Sequence, residues 1–310
     1  MRAVFLGTPD FAVPSINALC GCAEVVAVVG QPDRERDRKG KVIESAVKKR
    51  AAELGIPIYQ FEKIRRDGVE TLRSLAPDIM ITCAYGQLLS QEILDIAPLG
   101  VLNVHGSILP RYRGSAPIQR ALMNGEKETG VTIMKTDIGM DTGAILAIEK
   151  LPIADDDYVG DLYDKLSVIG AELLVKTLAG YVNGEIKPEL QDDAFATVAP
   201  PLKKEVAYLD FNNSAESVRN IIRGFGYGVC GFRGEQLKIY RADIAYNEAN
   251  VKAGAVIKAV KNDFIVACGE GALALTEVQA SGKKRMRTAD FLNGVRVSPG
   301  EKLTKIGGTE

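Results

Sequence analysis

The chain has 310 residues, of which 46% are hydrophobic and 25% charged, a balance that excludes a mainly disordered protein and fits about two folded domains. The longest stretch free of Asp, Glu, Lys and Arg, residues 96–110, is broken by Pro98, Gly100 and Gly106 and is too short to span a bilayer; the first residues lack the long apolar core of a secretory signal. Five cysteines, an odd number with Cys20 and Cys22 separated by one residue, make neither a disulfide framework nor a zinc or redox pair, so a reduced, cytoplasmic protein is expected.

Residues 3–7 form a short apolar run ending at Gly7, and Thr8, Pro9 and Asp10 supply a turn with helix-capping residues. A helix to about Leu19 and a buried strand over residues 24–30 are predicted next. The alternation then continues with a helix over 43–54, a strand over 56–59, a helix over 68–75, a strand over 78–83, a helix over 90–96 and a strand over 101–105. Short β-branched runs alternating with helical ones argue for an α/β fold with a doubly wound, mostly parallel sheet, whose sites lie beyond the carboxyl ends of the strands. A helix over 115–123 with Ser115 as its N-cap, strands over 130–134 and 144–148, and a long helix over 159–182 complete this domain, placed at residues 1–189.

Residues 190–205, with Asp192, Asp193, Pro200 and Pro201, read as an extended linker. In residues 206–310 a short helix over 215–223 precedes β-rich segments at 237–241, 254–260, 264–268 and 272–275, with Gly, Asn and Asp turns and no helical crossovers between them. A small antiparallel, OB-like β-barrel is predicted. Net charge is −1 overall, yet residues 203–310 hold 17 Lys and Arg against 12 Asp and Glu. Two basic clusters stand out: Lys283, Lys284, Arg285 and Arg287 near the C-terminus, and Arg34, Arg36, Arg38, Lys39 and Lys41 near the start. A solvated loop is the ordinary reading of either; a polyanionic partner is the sharper one.

Residues 226–231 spell the glycine pattern of a dinucleotide site, but a helix precedes them and a strand follows, the reverse of what that site needs. The informative segment surrounds the single histidine. Asn103 and His105 lie two apart on a strand that ends at Gly106, so both side chains leave the same face at the carboxyl end of the strand. With no second histidine and no cysteine cluster, a metal site is not expected. Asp141 lies between Gly139 and Gly143, which suits either a tight loop presenting one carboxylate to a ligand or a plain turn with a solvated Asp. Arg111 and Arg113 meet an anion or simply face water.

The run Asn103-Val104-His105-Gly106-Ser107-Ile108-Leu109-Pro110-Arg111-Tyr112-Arg113-Gly114, with Thr129 to Met134 and Asp141-Thr142-Gly143, resembles the folate-dependent formyltransferases. Gly7 to Ala12, Gln31 to Arg34, Ala84-Tyr85-Gly86, Gly282 to Met286 and Asp290 to Leu292 narrow the resemblance to the tRNA-directed members, and it covers nearly the whole chain. It implies a monomeric enzyme that transfers the formyl group of 10-formyltetrahydrofolate to the α-amino group of initiator methionyl-tRNA for translation initiation, without a metal. It further implies that Asn103, His105 and Asp141 are catalytic, that Ser107, Ile108, Leu109, Pro110, Tyr85 and Gly86 bind the folate, and that Arg34, Arg36, Arg38, Lys39, Lys41, Lys283, Lys284 and Arg285 meet the tRNA. Two segments depart from the family pattern: Gly226-Tyr227-Gly228-Val229-Cys230 stands where Asn-Pro-Trp-Pro is usual, and the basic loop has Arg38-Lys39-Gly40-Lys41 and Glu44 where Arg-Gly-Lys-Lys and a proline are expected. A family member acting on a small amine is the alternative; it has no evident use for the basic loop and the basic C-terminal domain.

Overall fold

A computed structural model describes residues 1–34, 40, 42–246 and 251–307. The chain divides into two compact units, one of Met1–Pro117, Glu128–Pro152 and Leu162–Pro200, the other of Ile118–Lys127, Ile153–Asp161 and Pro201–Glu310.

The first unit is built on seven strands: β1 (Arg2–Gly7), β2 (Glu24–Gly30), β3 (Ile58–Gln60), β4 (Ile79–Cys83), β5 (Val101–His105), β6 (Glu128–Lys135) and β7 (Ile145–Pro152), in the order β3-β2-β1-β4-β5-β6-β7. The first five pair in parallel, while β6 and β7 run antiparallel at one edge. Runs such as Val4 to Leu6 and Ile79 to Ile81 are apolar at consecutive positions and wholly buried, because a parallel sheet is covered on both faces. On one face Val4, Leu6, Val29 and Met80 pack against Ile64, Leu72 and Ile93 from the helices. The strand order reverses direction between β1 and β4, and Asn103 and His105 sit one strand further along, at the carboxyl end of β5; such switch points open the crevice in which these sheets place their ligands.

Helix α1 (Val13–Cys20) and a three-residue turn before it follow β1, and α2 (Ala46–Glu53) follows β2. The sequence pattern extends α2 back to residue 43, but the Ser45 hydroxyl accepts the Lys48 N–H at 3.2 Å and so fixes the start at Ala46. Two short helices, α3 (Ile64–Asp67) and α4 (Val69–Ser74), precede β4, and α5 (Gln91–Leu94) precedes β5. Helix α6 (Pro117–Met123) opens on proline rather than after a Ser115 cap; just before it, the Ala116 N–H donates to the Ala199 carbonyl at 3.2 Å. The long helix α7 (Val159–Val182) matches the range expected from sequence.

The second unit curls an antiparallel sheet around helix α8 (Ala215–Phe225), which Ser214 caps at one end and Gly226, with φ of +88°, closes at the other. Its strands are β8 (Gly228–Phe232), β9 (Glu235–Ala245), β10 (Val256–Val260), β11 (Asp263–Ala267), β12 (Ala272–Ala280), β13 (Met286–Arg287) and β14 (Leu303–Thr304), with α9 (Thr288–Gly294) between the last two. They follow the order β10-β11-β12-β9-β8-β14, β13 pairing with β12. An antiparallel bridge from Ala255 to Lys302 joins the two ends of this path, which removes the exposed edges an open sheet would leave. Val218 and Ile222 of α8 fill the interior with Leu237, Ile239, Phe264, Leu273 and Phe291. The helix before Gly226 and the strand after it are the order read from sequence, and they leave residues 226–231 as a helix cap and strand start.

Candidate active site

The two polar side chains of β5 are set by their neighbouring strands. Asn103 lies opposite Thr82 of β4 in register, and the Thr82 hydroxyl donates to Asn103 Oδ1 at 2.8 Å. That bond engages the carbonyl oxygen and so fixes the amide's orientation, leaving Nδ2 as its donor end. Thr82, a hydroxyl at the end of an otherwise apolar strand, is a partner that a search for catalytic motifs passes over; its position two residues before the Ala84-Tyr85-Gly86 turn is the signal that could have found it.

His105 is 5% exposed, and its ring is oriented by the chain that follows it. Nε2 lies 2.9 Å from the Tyr112 carbonyl. A carbonyl only accepts, so Nε2 carries the proton in the neutral ring and Nδ1 keeps its lone pair. On that side Asp141 Oδ2 approaches Nδ1 to 3.7 Å, too far for a hydrogen bond but close enough to stabilise the ring once Nδ1 is protonated. The same carboxylate oxygen accepts the Gly114 N–H at 2.8 Å. Tyr112 and Asp141 hold φ of +61° and +54°, a region that residues with a Cβ enter at a cost of about 1–2 kcal/mol. The residues beside them give this curvature room: a Cβ on Gly143 would sit 1.7 Å from the Lys135 carbonyl oxygen, and one on Gly114 would meet the Ala199 carbonyl at 2.8 Å. The structure thus brings His105 and Asp141 together from 36 residues apart, with Asn103 on the same strand as His105.

The turn after β5 is internally braced. Ser107, fully buried, donates to the Arg111 carbonyl at 2.7 Å, and its own carbonyl accepts from Thr132 Oγ1, which in turn accepts the Leu109 N–H at 3.1 Å. Leu109 is buried, whereas Ile108 and Pro110 are half-buried. Tyr85 is placed differently: its ring is 4% exposed within the core formed by Leu89, Ile93 and Val101, and burial pushes its hydroxyl above the usual phenol range. What Tyr85 and Gly86 present outward is backbone, and Gln31 Nε2 donates to the Tyr85 carbonyl at 2.9 Å. Sequence reading missed three exposed apolar side chains on the neighbouring loops, Leu88, Ile138 and Met140, at 65%, 66% and 52% exposure. Cys83, at the head of the Ala84 turn, is buried, which pushes its thiol up to about 12; it therefore stays a protonated thiol at neutral pH, not a nucleophile.

The basic residues differ in kind. Arg34 is exposed and bonds Glu62 at 2.5 Å, while Arg36, Arg38, Lys39 and Lys41 lie outside the described residues. Lys283, Lys284 and Arg285 occupy the exposed turn between β12 and β13. Arg285 pairs with Glu277 and lies 4.5 Å over the Tyr240 ring. Among the described residues no cluster of His, Cys, Asp and Glu suits a metal ion, and no helix is long and apolar enough to cross a membrane.

The doubly wound sheet carries Asn103 and His105 on one strand with the Asp141 carboxylate beside the His105 ring, and likeness to a known family defines the class: residues 1–178 fit the family model of formyl transferase and residues 201–296 that of the formyl transferase C-terminal domain, so the chain belongs to the formyltransferase family. Within that family it is 45% identical over 308 residues, 98% of both chains, to the methionyl-tRNA formyltransferase of Solibacter usitatus. It is 42% identical over 310 residues to that of Geotalea uraniireducens, again covering 98% of each. A crystal structure of a sugar 3N-formyl transferase, in the presence of dTDP and 5-N-formyl-THF, superposes with a TM-score of 0.68 at 21% identity, covering 92% of this chain and 99% of that one; it supports the fold.

Proposed function

We propose that this chain transfers the formyl group of 10-formyltetrahydrofolate to the α-amino group of initiator methionyl-tRNA, giving N-formylmethionyl-tRNA, as a cytoplasmic monomer. The observation that carries the chemistry is the His105 ring fixed by the Tyr112 carbonyl, with its bare Nδ1 facing Asp141 at 3.7 Å. The observation that carries the substrate is full-length likeness to methionyl-tRNA formyltransferases, which spans the basic C-terminal stretch as well as the part of the chain before it.

The folate, when bound, supplies the formyl carbon on N10 and leaves as the free amine. The loops beside the site carry surface that suits such a group: Leu88, Ile138 and Met140 are exposed apolar side chains and Gly86 exposes backbone, while the braced turn from Ser107 to Pro110 would supply a fixed wall. As the amine attacks the formyl carbon, Asn103 Nδ2, oriented by Thr82, donates to the oxygen on which charge gathers. A preorganised donor of this kind is worth about 2.7–4 kcal/mol. His105 Nδ1 accepts the proton that the attacking nitrogen sheds, Asp141 balances the resulting imidazolium, and the same nitrogen returns the proton to the departing amine. No side chain needs to carry the formyl group covalently. Arg34, Arg36, Arg38, Lys39 and Lys41, with Lys283, Lys284 and Arg285, would hold the phosphate backbone of the tRNA.

Purified protein supplied with 10-formyltetrahydrofolate should formylate charged initiator methionyl-tRNA and leave amino sugars and ribonucleotide amines untouched. Turnover of the small amines with none of the tRNA would overturn the substrate assignment while leaving the family membership intact.

A further inference from the structure

The loop that carries Asp141 is held from a distance. Gln191, fifty residues downstream, donates from Nε2 to the carbonyls of Asp141 at 2.9 Å and Gly143 at 2.7 Å, and its Oε1 accepts from Arg113 Nε at 3.0 Å and Nη2 at 2.9 Å. A primary amide has two N–H donors and one carbonyl oxygen, and here all of them are used. Turning the amide over would set its oxygen against two carbonyls and its NH2 against a guanidinium, so the partners fix its orientation.

Arg113 closes the arrangement. Its Nη2 also bonds Asp193 at 2.7 Å, and its backbone neighbours are the two groups that hold the His–Asp pair: the Tyr112 carbonyl on His105 Nε2 and the Gly114 N–H on the Asp141 carboxylate. One side chain therefore ties the backbone of Asp141 to the segment that orients both ring and carboxylate. The segment around Gln191 does not need this residue as its only anchor, because Thr197 accepts the Tyr112 N–H at 2.8 Å and the Ala199 N–H reaches the Arg113 carbonyl at 2.6 Å. Nor does apolar burial place it there, since its neighbour Leu190 is 91% exposed.

We infer that Gln191 is a positioning residue for formyl transfer, locking the left-handed Asp141 backbone so that its carboxylate keeps facing His105 Nδ1. This rests on the reading of His105 and Asp141 as catalytic. A displacement of about 1 Å at a reacting group can cost on the order of 10²-fold in rate, so a clamp on the Asp141 backbone acts on turnover more than on substrate affinity.

The test compares Gln191→Ala, Gln191→Met, Asp141→Asn and the Gln191→Ala/Asp141→Asn double variant in the full chain, with charged initiator methionyl-tRNA and 10-formyltetrahydrofolate as substrates. Gln191→Met keeps the side-chain volume while removing all four hydrogen bonds. Both single Gln191 variants should lower kcat by about tenfold or more while each KM changes by less than about threefold. Gln191→Ala should add almost nothing in the Asp141→Asn background. Because His105 is the only histidine, its ring proton signal in NMR is unambiguous, and at fixed pH it should move in Gln191→Ala in the same direction as in Asp141→Asn. Folded Gln191 variants with normal kcat and an unmoved His105 signal would overturn the inference, as would effects that multiply fully with Asp141→Asn, or loss of folding in both variants, which would make Gln191 a structural staple. If Asp141→Asn itself turns over normally, the catalytic reading is what fails.

Discussion

The end of β5 and the turn between β12 and β13 both gather polar residues, yet they do so in opposite ways. At β5 each group is immobilised: Thr82 holds the Asn103 amide, the Tyr112 carbonyl holds the His105 ring, and Gly114 and Gln191 hold Asp141 from its carboxylate and its backbone. At the turn, Lys283 and Lys284 stand in solvent and Arg285 shares Glu277 with Arg241. Chemistry needs groups fixed before the substrate arrives, so that reorganisation is not added to the barrier. Long-range attraction to a phosphate backbone needs only charge of the right sign within a Debye length, and exposed flexible lysines supply it.

The sharpest way to break this contrast is at the fixed groups. Asn103→Ala and Asp141→Ala should each lower kcat by on the order of 10² or more with the fold retained, as judged by steady-state kinetics and circular dichroism. The double variant should lose far less than the product of the two, because the groups act as a unit. The diffuse charges should behave otherwise. Lys283→Ala with Lys284→Ala and Arg285→Ala should raise KM for charged tRNA several-fold, leave kcat near normal, and flatten the dependence of KM on salt by roughly one unit of log–log slope for each phosphate no longer neutralised. Arg38→Ala with Lys41→Ala should do the same, leaving KM for the folate unchanged. A fall in kcat without a change in salt slope would place these cations with the chemistry instead.

The smallest effect concerns pH. In the second unit the Arg233 guanidinium, bonded to Glu301 at 2.6 Å, holds that carboxyl below its usual value, and the Asn212 N–H with Lys305 does the same for Asp210. A carboxyl whose pKa is lower folded than unfolded contributes stability above its unfolded value and loses it as pH falls through the folded one. Thermal melts should therefore show this unit weakening as the pH drops below about 4, and Glu301→Gln should make that decline shallower.

Much of this was legible from sequence, and the pattern of what was not is physical. Strands β2 and β5 and helix α7 fall on the ranges that the sequence pattern predicts, and β4 nearly so, because a buried parallel strand shows as a continuous apolar run and a long amphipathic helix repeats its signal over many turns. The two-residue strands β13 and β14 leave no repeat to read, and α9 makes only about two turns of helix. Asn103 and His105 could be paired from strand alternation alone, whereas Asp141 offered only a glycine-bracketed carboxylate until the fold brought it to Nδ1. Residues 191–199 read as a linker from their composition. Their attachment is made of hydrogen bonds that join Gln191, Thr197 and Ala199 to Tyr112 and Arg113, and Gln191 also to Asp141 and Gly143, all far away in the chain, and such bonds have no period and no local signature. Tyr85 shows the converse: the motif picks out the residue, but only the fold reveals that its ring belongs to the core.

In the proposed chemistry His105, held with Nε2 on the Tyr112 carbonyl and Nδ1 toward Asp141, is the group that moves the proton during formyl transfer. Single-turnover formylation of charged initiator methionyl-tRNA at saturating 10-formyltetrahydrofolate, measured for the native chain and for His105→Ala, addresses that role directly. A folded His105→Ala protein should be slower in that chemical step by on the order of 10² or more; transfer at a rate near that of the native chain would contradict it.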